Sequence, residues 1–125
     1  MLTTAFHVAL GGALGAVMRY LSGVAIFKLL GSGFPLGVLF VNVLGSGLMG
    51  MCVVYLGQKG LSQLNPFLMT GILGGFTTFS AFSLEAYTLF ERGQLGWAAL
   101  YVGLSVICSL AALVAGVYLM RWVLA

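Results

Sequence analysis

Very little of this chain can face water, and that decides what it can fold into. Its 125 residues include five lysine or arginine and two acidic side chains. These are Arg19, Lys28, Lys59, Glu85, Glu91, Arg92 and Arg121. A soluble domain carries about a quarter charged residues; here the share is 6%, and 62% are hydrophobic. The chain reads as an integral membrane protein. A signal peptide does not account for it, because the apolar character runs from end to end.

Short polar marks divide the chain into four apolar segments, about 3–30, 36–57, 66–91 and 95–123. The marks are GSGFP (31–35), GQKGLSQLNP (57–66) and RGQLG (92–96). Glycine and proline punctuate helices, and Pro66 suits the first position of the third. Each segment exceeds the ~20 apolar residues that cross a hydrocarbon core. The first would be roughly 40 Å long as a helix, so it tilts or reaches into the headgroups. The expected fold is an all-α membrane domain of four transmembrane helices over 1–125, with nothing outside.

With four spans, both termini and the 57–66 loop share one side, which carries Lys59 and Arg121. The opposite side carries Lys28 and Arg92. Two against two gives no decision by the positive-inside rule. Either a boundary is misplaced, or the chain inserts both ways and two copies form an antiparallel dimer, the arrangement that inverted repeats build covalently. Small residues at i, i+4 suit close helix packing: Gly11 and Gly15, Ser46 and Gly50, Gly71 and Gly75.

Several function classes fall away. The basic residues are scattered singly, with no patch for nucleic acid. Cys52 and Cys108 lie in apolar runs without CxxC spacing, and His7 alone is too little for a metal site. The chain has no aspartate, so no Ser–His–Asp set exists, and no phosphate loop is present. Nothing argues for an enzyme.

The polar residues within the spans remain. Arg19 reads either as a structural anchor or as part of a pathway. Asn42, in FVNVLGSG, is either interhelical glue or a donor aimed at an anion in a wet cavity. The third span holds GGFTTFSAFS (74–83), where two glycines and two threonines invite a helix break. Carbonyls freed at membrane depth need protein, water or a bare cation such as sodium. Beyond that point Phe79 and Phe82 lie about 60° apart on one helical face, with Ser80 and Ser83 on the adjacent one. Ring edges are electropositive and can approach an anion without a full charge. Tyr101, Ser105 and Ser109, at i, i+4 and i+8, draw a hydroxyl face along the fourth span. Serine also bonds its own i−4 carbonyl, which is the plainer reading.

GGALGAVMRY (11–20), FVNVLGSGLMG (40–50), GILGGFTTFSAFSLE (71–85) and YVGLS (101–105) resemble, in order and spacing, the Fluc (CrcB-type) bacterial fluoride channels. The resemblance covers the full length. It implies a dual-topology antiparallel homodimer in the bacterial inner membrane, with two fluoride pores of opposite orientation lined by both subunits. It implies third helices that are broken near their middle and cross at the dimer centre. There a structural Na⁺ would be held by the backbone carbonyls of Gly74 and Thr77. Phe79 and Phe82 match the pore rings and Asn42 the pore asparagine. Ser80, Ser83, Tyr101 and Ser105 match the polar track, with Ser109 as its extension. Arg19 is read as a structural anchor from its place in the span, apart from this match. Ala81 departs from the pattern, where many members carry threonine or serine. The function implied is passive export of cytoplasmic fluoride, which lowers its toxicity. Two rivals stand beside it. A proton-coupled drug transporter would need a titratable carboxylate in the membrane, and Glu85 is badly placed for a central site. A non-transporting membrane scaffold would carry no flux.

Overall fold

The computed structural model describes residues 1–31 and 33–125; Ser32, inside the GSGFP mark, lies outside the described residues. Four stretches among them are long and apolar enough to cross a membrane: Leu2–Leu30, Leu36–Gln58, Ser62–Glu91 and Leu95–Leu124. The protein is a multi-pass, all-helical membrane protein. Helix α1 is Leu2–Leu30 and α2 is Leu36–Gln58. The third span opens with a short 3₁₀ turn, Ser62–Leu64, and a π-helical segment, Pro66–Leu73. It continues as one α turn, α3 (Gly74–Phe76), and then α4 (Phe79–Glu91). Helix α5 is Leu95–Leu124.

The connections between spans depend on glycine. Gly31, Gly60 and Gly93 take φ of 80°, 67° and 75°, a region that costs other L-residues strain. Gly60 and Gly93 sit in Schellman-type ends: Leu61 N–H reaches back to Leu56 C=O, and Gln94 N–H to Leu89 C=O. Pro66 stands in the first turn of its helical segment, where its missing N–H has no partner to lose.

Two glycine seams hold the bundle. Gly11 and Gly15 of α1 are buried against the first part of the third span. A Cβ on Gly11 would strike the Phe67 carbonyl, and one on Gly15 the Ile72 carbonyl. Gly71 and Gly75 face α1 in return, so two of the three expected small-residue pairs meet each other. The second seam joins α2 to α5, where Gly50 lies on the Leu113 carbonyl and Gly116 on the Gly47 carbonyl. Ser46 is outside this seam and lines a cavity instead. Lipid supplies no hydrophobic drive between helices, so such backbone-level contact is what associates them.

The apolar interior is correspondingly small. Leu89, Ala98 and Tyr101 form a buried cluster, flanked by Phe34, Val38, Leu39, Phe82 and Ala86. Most large apolar side chains face outward, as a chain solvated by lipid requires.

Candidate functional site

The site forms where the third span leaves helical geometry. Thr77 has φ −89°, ψ 159° and Thr78 has φ −152°, ψ 118°, so both are extended between α3 and α4. Three side chains hold this pair: Asn42 and the two threonines themselves. Asn42 Nδ2 donates to the Thr78 carbonyl at 3.0 Å, and Thr78 N–H donates to Asn42 Oδ1 at 2.7 Å. The Asn42 amide thus replaces both backbone partners at one residue and keeps one N–H in hand. Thr78 Oγ1 then accepts from Ala81 N–H at 3.1 Å, which caps α4. Thr77 Oγ1 donates back to the Leu73 carbonyl, and its methyl packs against Gly45, where a Cβ would not fit.

These bonds decide which carbonyls go without a helical donor. In a continuous helix Thr78 N–H would serve the Gly74 carbonyl, and Ala81 N–H the Thr77 carbonyl. Both N–H groups are engaged by side chains instead. The Gly75 carbonyl accepts from Arg19 Nε at 3.1 Å, which places a guanidinium at the end of α3. Gly74 is exposed and Thr77 half-buried. The donor set is neutral oxygen, which suits a small hard cation, so these residues fit sodium. Among the described residues, no group of three His, Cys, Asp or Glu side chains offers another metal site.

Beyond Thr78 the aromatic rings form a chain. Phe79 and Phe82 have centroids 5.5 Å apart, and Phe82 lies 5.4 Å from Tyr101. Phe34 meets the Tyr101 ring edge-on at 5.5 Å. Tyr101 is fully buried, and among the described residues its hydroxyl has no hydrogen-bond partner. Phe79, by contrast, is 79% exposed on the single chain.

A cavity of about 500 Å³ brings together Asn42, Phe79, Phe82, Ser105 and Ser109 from three helices. None of the described residues in its walls is charged. A second cavity, of about 570 Å³, opens toward the α1 C-terminus and holds Arg19, Lys28 and Glu85. Thr78 lines both, so the extended pair stands between a charged space and a neutral one. Ala81 faces the charged cavity, so that is where its missing hydroxyl would have pointed.

Of the residues singled out from the sequence, Asn42, Phe79, Phe82, Ser105 and Ser109 converge on the neutral cavity, and Tyr101 stands behind Phe82. Ser80 and Ser83 are outside its walls. Ser83 Oγ donates to the Phe79 carbonyl at 3.0 Å, and Ser80 Oγ lies 3.4 Å from Thr78 Oγ1. Sequence reasoning passed over Thr78, which is clamp partner, cap and shared wall at once. Its signal was available, since a threonine directly before an apolar helical run is an N-cap candidate.

The family model described as "CrcB-like protein, Camphor Resistance (CrcB)" matches residues 6–117, which contain all of these site residues. Among curated relatives, the "Fluoride-specific ion channel FluC" of Ruegeria sp. (strain TM1040) is 63% identical over 125 residues, 99% of each chain. The protein of that name from Cereibacter sphaeroides (strain ATCC 17029 / ATH 2.4.9) is 60% identical over 121 residues, 97% of each chain. That from Agrobacterium fabrum is 50% identical over 116 residues, 91% of this chain and 93% of its own. Similarity of this extent, over a range that includes Asn42, Thr77, Thr78 and the ring chain, makes the protein a member of the CrcB (Fluc) family.

Proposed function

We propose that this protein is a fluoride channel and not an enzyme, working as an antiparallel homodimer with two oppositely directed pores. The observation that carries the reading is the neutral cavity, where an amide, two serines and two phenylalanine rings converge without a charge. Relatives named as fluoride-specific channels support it. Fluoride is small and strongly hydrated, so a pathway must replace its water with close donors. It must also bind weakly enough to release the ion. Neutral amides, hydroxyls and ring edges meet both demands. Arg19 and Lys28 would draw the anion into the charged cavity, and the Phe79–Phe82 pair would pass it to Asn42, Ser105 and Ser109. Ser80 and Ser83 would join this track once their hydroxyls re-aim.

Exposure supports the dimer. Phe79, Ser80 and Ser83 are exposed on one copy, so a pathway along them needs a second copy to close it. The Gly74 and Thr77 carbonyls, near the same surface, would meet their counterparts around a structural sodium ion. Bound there, sodium would supply fixed positive charge between two third helices broken at Thr77–Thr78. Export would be passive, across a bacterial inner membrane, and would keep cytoplasmic fluoride low.

The test is fluoride efflux from liposomes holding the purified protein, with chloride as control. Fluoride flux without chloride flux is expected. No fluoride flux, or equal chloride flux, would sink the proposal. Phe79→Ile and Phe82→Ile are each expected to stop or greatly slow efflux, and unchanged flux in both rejects the ring path. Preparation with a large organic cation in place of sodium is expected to abolish flux, and sodium to restore it.

A further inference from the structure

The neutral cavity holds a third serine that the proposed pathway does not use. Ser46 lines it from α2, one turn beyond Asn42, so the two residues share a helical face. Its partner across the cavity follows from how α2 and α5 are packed.

The two helices run in the same direction. Near their starts, Val38 and Leu39 pack on the cluster around Tyr101, and further on Gly50 lies on the Leu113 carbonyl. The step in sequence from Gly50 to Leu113 is also the step from Ser46 to Ser109, and from Asn42 to Ser105. The backbone contact at Gly50 therefore sets the register of the other two pairs, each one turn further back. Ser46 stands level with Ser109 as Asn42 stands level with Ser105. All four line the cavity, and Leu113 closes it below.

Serine and threonine in a helix commonly turn the hydroxyl to the carbonyl four residues back. Thr77, Ser83 and Thr88 do so, and among the described residues Ser46, Ser105 and Ser109 do not. Ser105 is 6% exposed, so its hydroxyl has only the cavity to serve. Polar groups held this way at membrane depth gain from a ligand that completes their hydrogen bonds. The other groups in the walls say which kind. Asn42 commits its oxygen to Thr78 N–H and keeps an N–H, and the edges of Phe79 and Phe82 are electropositive. The cavity offers donors, so its ligand is an acceptor.

We propose that Ser46 and Ser109 form a second seat for the permeating anion, one helical turn past Asn42 and Ser105, with both hydroxyls as donors. This rests on the fluoride reading above. One turn is about 6 Å, so an ion leaving Asn42 meets new donors as it loses the old ones. Two weak seats in series pass on a strongly hydrated anion that one strong seat would hold.

Fluoride efflux from liposomes is measured for the parent, Ser46→Ala, Ser109→Ala and the double variant, with thermal unfolding in detergent alongside. Each single variant is expected to slow efflux about fivefold, the factor that one lost neutral hydrogen bond gives, at an unchanged unfolding temperature. Because both hydroxyls serve one ion, the double variant should fall well short of the product of the two losses. Unchanged efflux in Ser46→Ala, beside a conducting parent, overturns the second seat and leaves the channel reading standing. A parent without fluoride flux overturns both. Losses that multiply would mean two hydroxyls acting apart. A slowed Ser46→Ala that also unfolds at lower temperature would mean a packing role. Either result removes the seat.

Discussion

The two halves of the third span are built on opposite terms. From Pro66 to Phe76 the chain is pressed backbone to backbone against α1, and Gly71, Leu73 and Phe76 are buried. From Phe79 to Glu91 only Leu89 is buried, and Phe79, Leu84, Tyr87 and Phe90 all face outward. The first half belongs to the fold of one copy. The second half carries most of the span's polar and aromatic candidates and has little partner within the chain. Thr77 and Thr78 are the join, and they are held by side chains from α2 and from the join itself.

The comparison predicts that substitutions in the first half fail by folding. Gly15→Val places a branched side chain against the Ile72 carbonyl, which cannot withdraw without opening the seam. The cost is expected to reach the top of the overpacking range, about 3 kcal/mol. Size-exclusion chromatography should show aggregated protein, where Leu84→Ala on the exposed half runs like the parent. A monodisperse, thermally normal Gly15→Val protein would remove the distinction.

At the join the expected effect is smaller and acts on both stability and transport. Asn42→Leu leaves Thr78 N–H and C=O without their partners, at about 1–3 kcal/mol for each buried group. Thermal unfolding in detergent should shift downward, and fluoride efflux should fall with it. Loss of efflux at unchanged stability would assign Asn42 to the anion alone and deny it the clamp.

What could be read in advance follows the same division. Spans and turns were legible because they rest on local rules: apolar length, and glycine where φ is positive, as at Gly31, Gly60 and Gly93. The seams were half legible. Small residues at i, i+4 marked the contact faces, but nothing in the spacing said that Gly11 and Gly15 would meet Gly71 and Gly75. The site was legible as residue types and not as bonds. Asn42 could be glue or donor, and the choice rests on a partner 36 residues away. Arg19 could be anchor or pathway, and the bond it makes, to the Gly75 carbonyl, joins residues 56 positions apart. Ser83 shows the local rule prevailing, since its hydroxyl turns to the Phe79 carbonyl on its own helix.

The mildest test separates the join from its neighbours. Thr78→Val keeps the shape of the side chain and removes the oxygen that receives Ala81 N–H. Loss of such a cap costs about 1 kcal/mol. Because the first half is fixed by its seam with α1, that cost should fall on α4 alone. Hydrogen exchange is expected to quicken at Ser80 and Ala81 by roughly fivefold, the factor about 1 kcal/mol gives, and to stay unchanged at Gly71 through Leu73. Thr78→Ser restores the oxygen and should restore the protection. Equal quickening on both sides of the pair would mean that the third span opens as one unit, and that the contrast between its halves is one of exposure without independence.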